Sequence, residues 1–83
     1  MTAAAVEVNS HEPSWLEVED RAGSTLYYGL LQGRRRFPLG EGLRLRSGRP
    51  DLIRIRVGSQ PEQPLGTVYE NGWHTIQAAS PEG

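Results

Sequence analysis

The segment Ser14-Trp15-Leu16-Glu17-Val18-Glu19-Asp20-Arg21-Ala22-Gly23-Ser24-Thr25-Leu26-Tyr27-Tyr28-Gly29-Leu30-Leu31 decides the fold class. Its apolar residues recur at every second position rather than every third or fourth. Leu16 and Val18 share one face, and Trp15, Glu17 and Glu19 share the other. Beyond Arg21-Ala22-Gly23-Ser24, the residues Leu26, Tyr28 and Leu30 align in the same way. A strand sends successive side chains to opposite faces, so this period predicts strands. The small and polar residues between the two runs read as a turn.

The same grammar continues downstream. Gln32-Gly33 reads as a second turn, and Arg35, Phe37 and Leu39 alternate after it. Pro38 assigns that run to an edge strand or a strand end, because proline cannot donate to a ladder. Gly40-Glu41-Gly42 turns again, and Leu43 and Leu45 alternate with Arg44 and Arg46. After Ser47 to Pro50, Ile53, Ile55 and Val57 point inward and Arg54 and Arg56 outward. Gly58 to Pro64, with two prolines, is a loop. Weaker strands are expected at 65–69 and 74–77, around the hairpin dipeptide Asn71-Gly72. The expected fold is all-β: a small antiparallel β-sandwich or open barrel of about six to seven short strands. Its expected core is Leu16, Val18, Leu26, Tyr28, Leu30, Leu43, Leu45, Ile53, Ile55 and Val57. Residues 14–79 make the single domain, 1–13 a flexible lead-in or expression remnant, and 80–83 a frayed tail.

Composition narrows the function classes. The chain has 83 residues and no cysteine, and a domain of this size buries only roughly 60–65% of its unfolded surface. Thiol chemistry and Cys-type zinc sites are excluded. No segment approaches the ~18 apolar residues that a membrane-spanning helix needs. His11 and His74 are far apart, and the Glu70-to-His74 spacing falls in an expected hairpin rather than on a helix, so no metal or cofactor is expected. No nucleophile-elbow sequence is present. Gly40 and Gly42 give a bare G-x-G with no helix after it, and Glu17, Glu19 and Asp20 read as a solvated strand face. The expectation is a non-enzymatic domain.

Charge is the uneven feature. All nine basic residues are arginine, and the net charge is −1. Eight arginines fall between Arg34 and Arg56, against only Glu41 and Asp51 there. Arg44, Arg46, Arg54 and Arg56, placed on neighbouring strands of a hairpin over 42–57, are candidate partner-binding residues for an acidic partner. The competing reading pairs them across strands with Glu17 and Glu19. Nucleic acid is not expected, because these strands lack interleaved exposed aromatics. Trp15, Tyr27 and Trp73 are expected to share the face opposite the core, and Trp15 joins the candidate contact residues. Such a face suits a protein hot spot or sugar stacking, unless the C-terminal segment covers it.

The run from Ser14 to Leu31, with Trp15 and Val18, the Asp20–Gly23 turn and Leu26-Tyr27-Tyr28-Gly29, resembles the C-terminal domain of the RodZ family of bacterial cell-shape proteins. Gly42 to Leu45, Gly48 and Ile53 to Val57 fit its continuation, so the resemblance covers roughly residues 14–58. Gly48-Arg49-Pro50-Asp51 departs from the family's usual Gly-Asn-Ala turn, and the stretch after Gly58 fits less well. The resemblance implies a cytoplasmic helix-turn-helix domain that binds MreB, one membrane span and a linker, all upstream and outside this chain. It places this domain on the extracytoplasmic face of the inner membrane, in the periplasm. Its implied partners are proteins of the cell-envelope elongation machinery or an anionic envelope polymer. The alternative from another class is a free-standing carbohydrate-binding β module that recognises glycan.

Overall fold

The computed structural model describes residues 5–77. These residues form six strands: β1 (Ala5–Asp20), β2 (Thr25–Pro38), β3 (Gly42–Ser47), β4 (Arg54–Val57), β5 (Gln63–Pro64) and β6 (His74–Gln77). No helix occurs among the described residues. The fold is the open-barrel form of the expected all-β class, a curled antiparallel sheet that makes a half-barrel.

The sixteen-residue β1 organises the sheet. One of its edges carries β2 along nearly its whole length. The other edge is divided: β4 pairs with Val6–Asn9 and β3 with Leu16–Asp20. β6 adds outside β3, and β5 outside β4. The core lies on the concave face. Val6, Val8, Leu16 and Val18 of β1 are fully buried there, with Leu43, Leu45, Ile53 and Ile55. Leu31, Phe37, Leu39 and Leu65 complete it.

Residues 5–13, expected in a flexible lead-in, are instead the first half of β1. Val6 and Val8 alternate with Glu7 and Asn9, as a strand requires. The interruption is local: His11, Glu12 and Pro13 bulge out opposite Gln32, between the pairs Ser10↔Gly33 and Ser14↔Leu31. A bulge tolerates the missing N–H of proline. The offset is even on both strands, so the two halves of β1 keep the same face inward. Two buried serines hold the bulge. Ser10 Oγ donates to the Glu12 carbonyl at 2.6 Å and Ser14 Oγ to the same oxygen at 3.1 Å. Gly33, opposite Ser10, has φ of 93°, a left-handed value that favours glycine.

Three further expectations are corrected. Gln32-Gly33 does not end a strand, and β2 runs on to Pro38. Within β2 the register is the reverse of the expected one. Val18 lies opposite Tyr27, Leu16 opposite Gly29 and Ser14 opposite Leu31. Directly opposed residues share a face, so Tyr27, Gly29 and Leu31 face the core. Leu26, Tyr28 and Leu30 are exposed instead, at 38%, 67% and 67%. Apolar residues occupy both faces of this strand, and periodicity alone cannot choose between them. Residues 42–57 are not a hairpin, because β3 and β4 each pair with β1 and not with each other. Within each of those strands the leucines and isoleucines do face inward and the arginines outward.

The segment 65–69 is not a strand. Leu65 is buried and donates its N–H to the Ile53 carbonyl at 2.7 Å. The chain then turns over Thr67–Glu70, leaving Tyr69 90% exposed. The expected tail, 80–83, lies outside the described residues.

Candidate contact face of the sheet

Outward side chains of β1 fall at odd positions, and the strands beside it set which groups meet them. Arg46 lies directly opposite Glu17, and Arg44 opposite Glu19. Both become cross-strand ion pairs: Arg46 Nη2 meets Glu17 Oε1 at 2.6 Å, and Arg44 donates to Glu19. Glu17 is only 9% exposed. Trp73, just before β6, stacks on both guanidinium groups at 4.6 Å. Arg46 also lies over the Trp15 ring, 5.5 Å from its centroid. The Arg46 side chain is thus held between two indoles and one carboxylate, and its Nε is buried with no hydrogen-bond partner. A guanidinium stacked on an aromatic face contributes about 0.5–2 kcal/mol, which offsets part of that loss.

On the β2 side, Trp15 meets Tyr28 edge-on, with centroids 5.5 Å apart and an interplanar angle of 90°. Leu30 lies opposite Trp15 in the register. A continuous strip therefore crosses the convex face: Trp73, Arg44 and Arg46, Glu17 and Glu19, Trp15, then Tyr28 and Leu30. Trp15 and Trp73 are half-buried, and the outer members Tyr28 and Leu30 stand out into solvent.

The other half of the convex face is basic. Arg36 and Arg56 both lie opposite Glu7, on its two sides. Arg56 Nη2 reaches Glu7 Oε1 at 3.1 Å, and Arg34 Nε lies 3.8 Å from the same oxygen. Arg54 pairs with Glu62 at 3.1 Å. Arg35 points to the opposite face and covers the Tyr27 ring at 4.8 Å.

Of the candidate residues, Arg44, Arg46 and Trp15 come together, while Arg54 and Arg56 sit on the basic half. The four arginines are not one hairpin patch, and each has a carboxylate beside it. Tyr27, expected beside the tryptophans, faces the core and packs edge-on against Phe37 at 6.2 Å. Tyr28 takes the expected place, because the β2 register is reversed. Tyr28 and Leu30 are the members that sequence reasoning left out of the contact set. The adjacent pair Tyr27-Tyr28 was the available signal, since a strand with aromatics at consecutive positions cannot hide both.

His74 serves a loop. His74 Nε2 lies 2.6 Å from the Glu70 carbonyl oxygen. Its ring packs so closely on Gly66 that a Cβ there would fall 2.7 Å from Cε1. The Thr67 N–H donates to Glu70 Oε1 at 2.7 Å, and this holds the Glu70 carboxyl below its ordinary value. Among the described residues no three His, Asp or Glu side chains group as metal ligands would.

A family model described as RodZ C-terminal domain matches residues 7–72. It starts within the first half of β1 and passes the Thr67–Glu70 turn, well outside the 14–58 stretch that carries the resemblance. No match was found among curated proteins or among solved structures.

Proposed function

Because the chain belongs to the RodZ C-terminal domain family, we propose that it works as the extracytoplasmic, non-enzymatic contact domain of a RodZ-like cell-shape protein. The observation that carries this reading is the braced aromatic strip. Tyr28 and Leu30 are each 67% exposed beside a tryptophan that is fixed by Arg46 and by Tyr28 itself. A rigid aromatic and apolar centre with a charged rim is the anatomy of a protein contact. Glu17 and Glu19 are tied to arginines, so their oxygens serve the sheet. The indoles carry guanidinium groups on their faces, which takes up surface that a sugar ring would need for stacking. A protein of the wall-elongation machinery therefore suits the strip better than a glycan.

Two experiments test this in the full-length protein. Tyr28→Lys with Leu30→Lys changes only exposed positions. Cells relying on this variant should lose their normal width while the protein stays folded and abundant. Normal width would overturn the contact reading. The chain has no cysteine, so a thiol placed at exposed Ala22, in a full-length protein with any cysteine elsewhere replaced by serine, is a clean topological probe. An impermeant maleimide should label Ala22→Cys in intact cells. Labelling only after lysis would overturn the extracytoplasmic assignment.

A further inference from the structure

Among the described residues β2 pairs only with β1, so its other side is an open sheet edge fourteen residues long. Unpaired strand edges accept further strands, and proteins blunt them with charge, proline or a cover. The two halves of this edge are treated differently. Arg34, Arg35, Arg36 and Pro38 blunt the second half. Thr25 to Leu31 contains no charge and no proline, is rich in residues that favour strands, and exposes Tyr28 and Leu30. The arginines are also poorly neutralised. Arg34 has only the 3.8 Å approach to Glu7, an acid already engaged by Arg56, and Arg35 and Arg36 have no ion-pair partner among the described residues.

We infer that this edge takes an added strand from a partner segment that is apolar along one half and acidic along the other. The inference deepens the contact reading and rests on it. Every pairing in the sheet is antiparallel, and antiparallel addition puts the acidic half of the partner at its amino-terminal end, beside Arg34–Arg36. Main-chain hydrogen bonds supply the affinity, and the two halves supply register and selectivity. A second copy of this chain is a poorer occupant. Pairing centred on Tyr28 leaves the arginines overhanging without acids, and pairing centred on Arg35 opposes like charges.

The test is a labelled synthetic peptide of about ten residues, Asp/Glu-rich in its first half and Val/Tyr-rich in its second, titrated against the whole chain by fluorescence anisotropy. It should bind. Lysine in place of its acids, or N-methylation of the amides that face β2, should each weaken binding at least about ten-fold. Arg34→Gln, Arg35→Gln and Arg36→Gln together should remove its salt dependence. Equal binding of the N-methylated peptide would overturn strand addition, and equal binding of the lysine peptide would overturn the charge rule. No binding by the parent peptide, or a dimer of the chain lost in Leu30→Lys, would overturn the inference as a whole. If the arginine variant fails to fold, the peptide controls on the native chain decide alone. Peptide binding is read without cells, so it can fail while the cell-width test succeeds, and the reverse.

Discussion

Arg46 shows how one residue joins packing to function. Its guanidinium bridges Trp15 and Trp73 and pairs with Glu17. Lysine keeps the charge but has neither the planar face nor the fork. Arg46→Lys should therefore shift tryptophan emission to longer wavelength and cost about 1 kcal/mol in urea denaturation; unchanged emission would mean that the stack does not form. Glu70 acts in the loop that leads into Trp73 and β6. The Thr67 N–H holds its carboxyl below the ordinary 4.5. A carboxyl lowered on folding adds stability that is complete above its unfolded value and is lost as pH falls through its folded one. The 66–74 loop should thus loosen in acid below about pH 4.5, and Glu70 should titrate by NMR with a midpoint under that value. A midpoint at or above it would remove the hydrogen bond from the account. At this scale the outward arginines of β3 and β4 were legible, since each alternates with one clear apolar face. Their carboxylate partners were legible for Arg44 and Arg46 only, because the acids opposite Arg54 and Arg56 depend on which strand neighbours β4.

At the scale of elements, the bulge in β1 and Gly33 of β2 act as one joint. Gly33 sits there with φ of 93°. A Cβ at Gly33 would meet nothing within 4 Å, so substitution strains the backbone without a clash. Gly33→Ala should cost about 1–2 kcal/mol in chemical denaturation, with the sheet otherwise unchanged; a neutral result would mean that the backbone relaxes out of this conformation freely. The same joint explains what the sequence hid. Pro13 and the Gln32-Gly33 pair look like ends of strands, yet the two irregularities face each other and cancel. Strand type was legible from period two. The face of β2 was not, because both of its faces carry large apolar residues, and only pairing with Val18 and Ser14 selects Tyr27 and Leu31 for the core.

At the scale of the molecule, β1 is the spine on which the other strands depend. Its first half supports β4, its second half supports β3, and β2 follows both. The basic half and the aromatic half of the convex face are joined through β1 and through β2, which follows it. The concentration of arginine in 34–56 was plain in composition, but its division into two halves was not, because it follows from β3 and β4 sharing one long partner. If β1 is a single folded spine, its two halves must open together. Native-state hydrogen exchange followed by NMR measures this directly. Hydrogen-bonded amides in Val6–Asn9 should exchange as slowly as those in Leu16–Asp20, both at the rate of global unfolding. Fast exchange in Val6–Asn9 beside slow exchange in Leu16–Asp20 would show that the first half is a loose lead-in after all, and would contradict the spine.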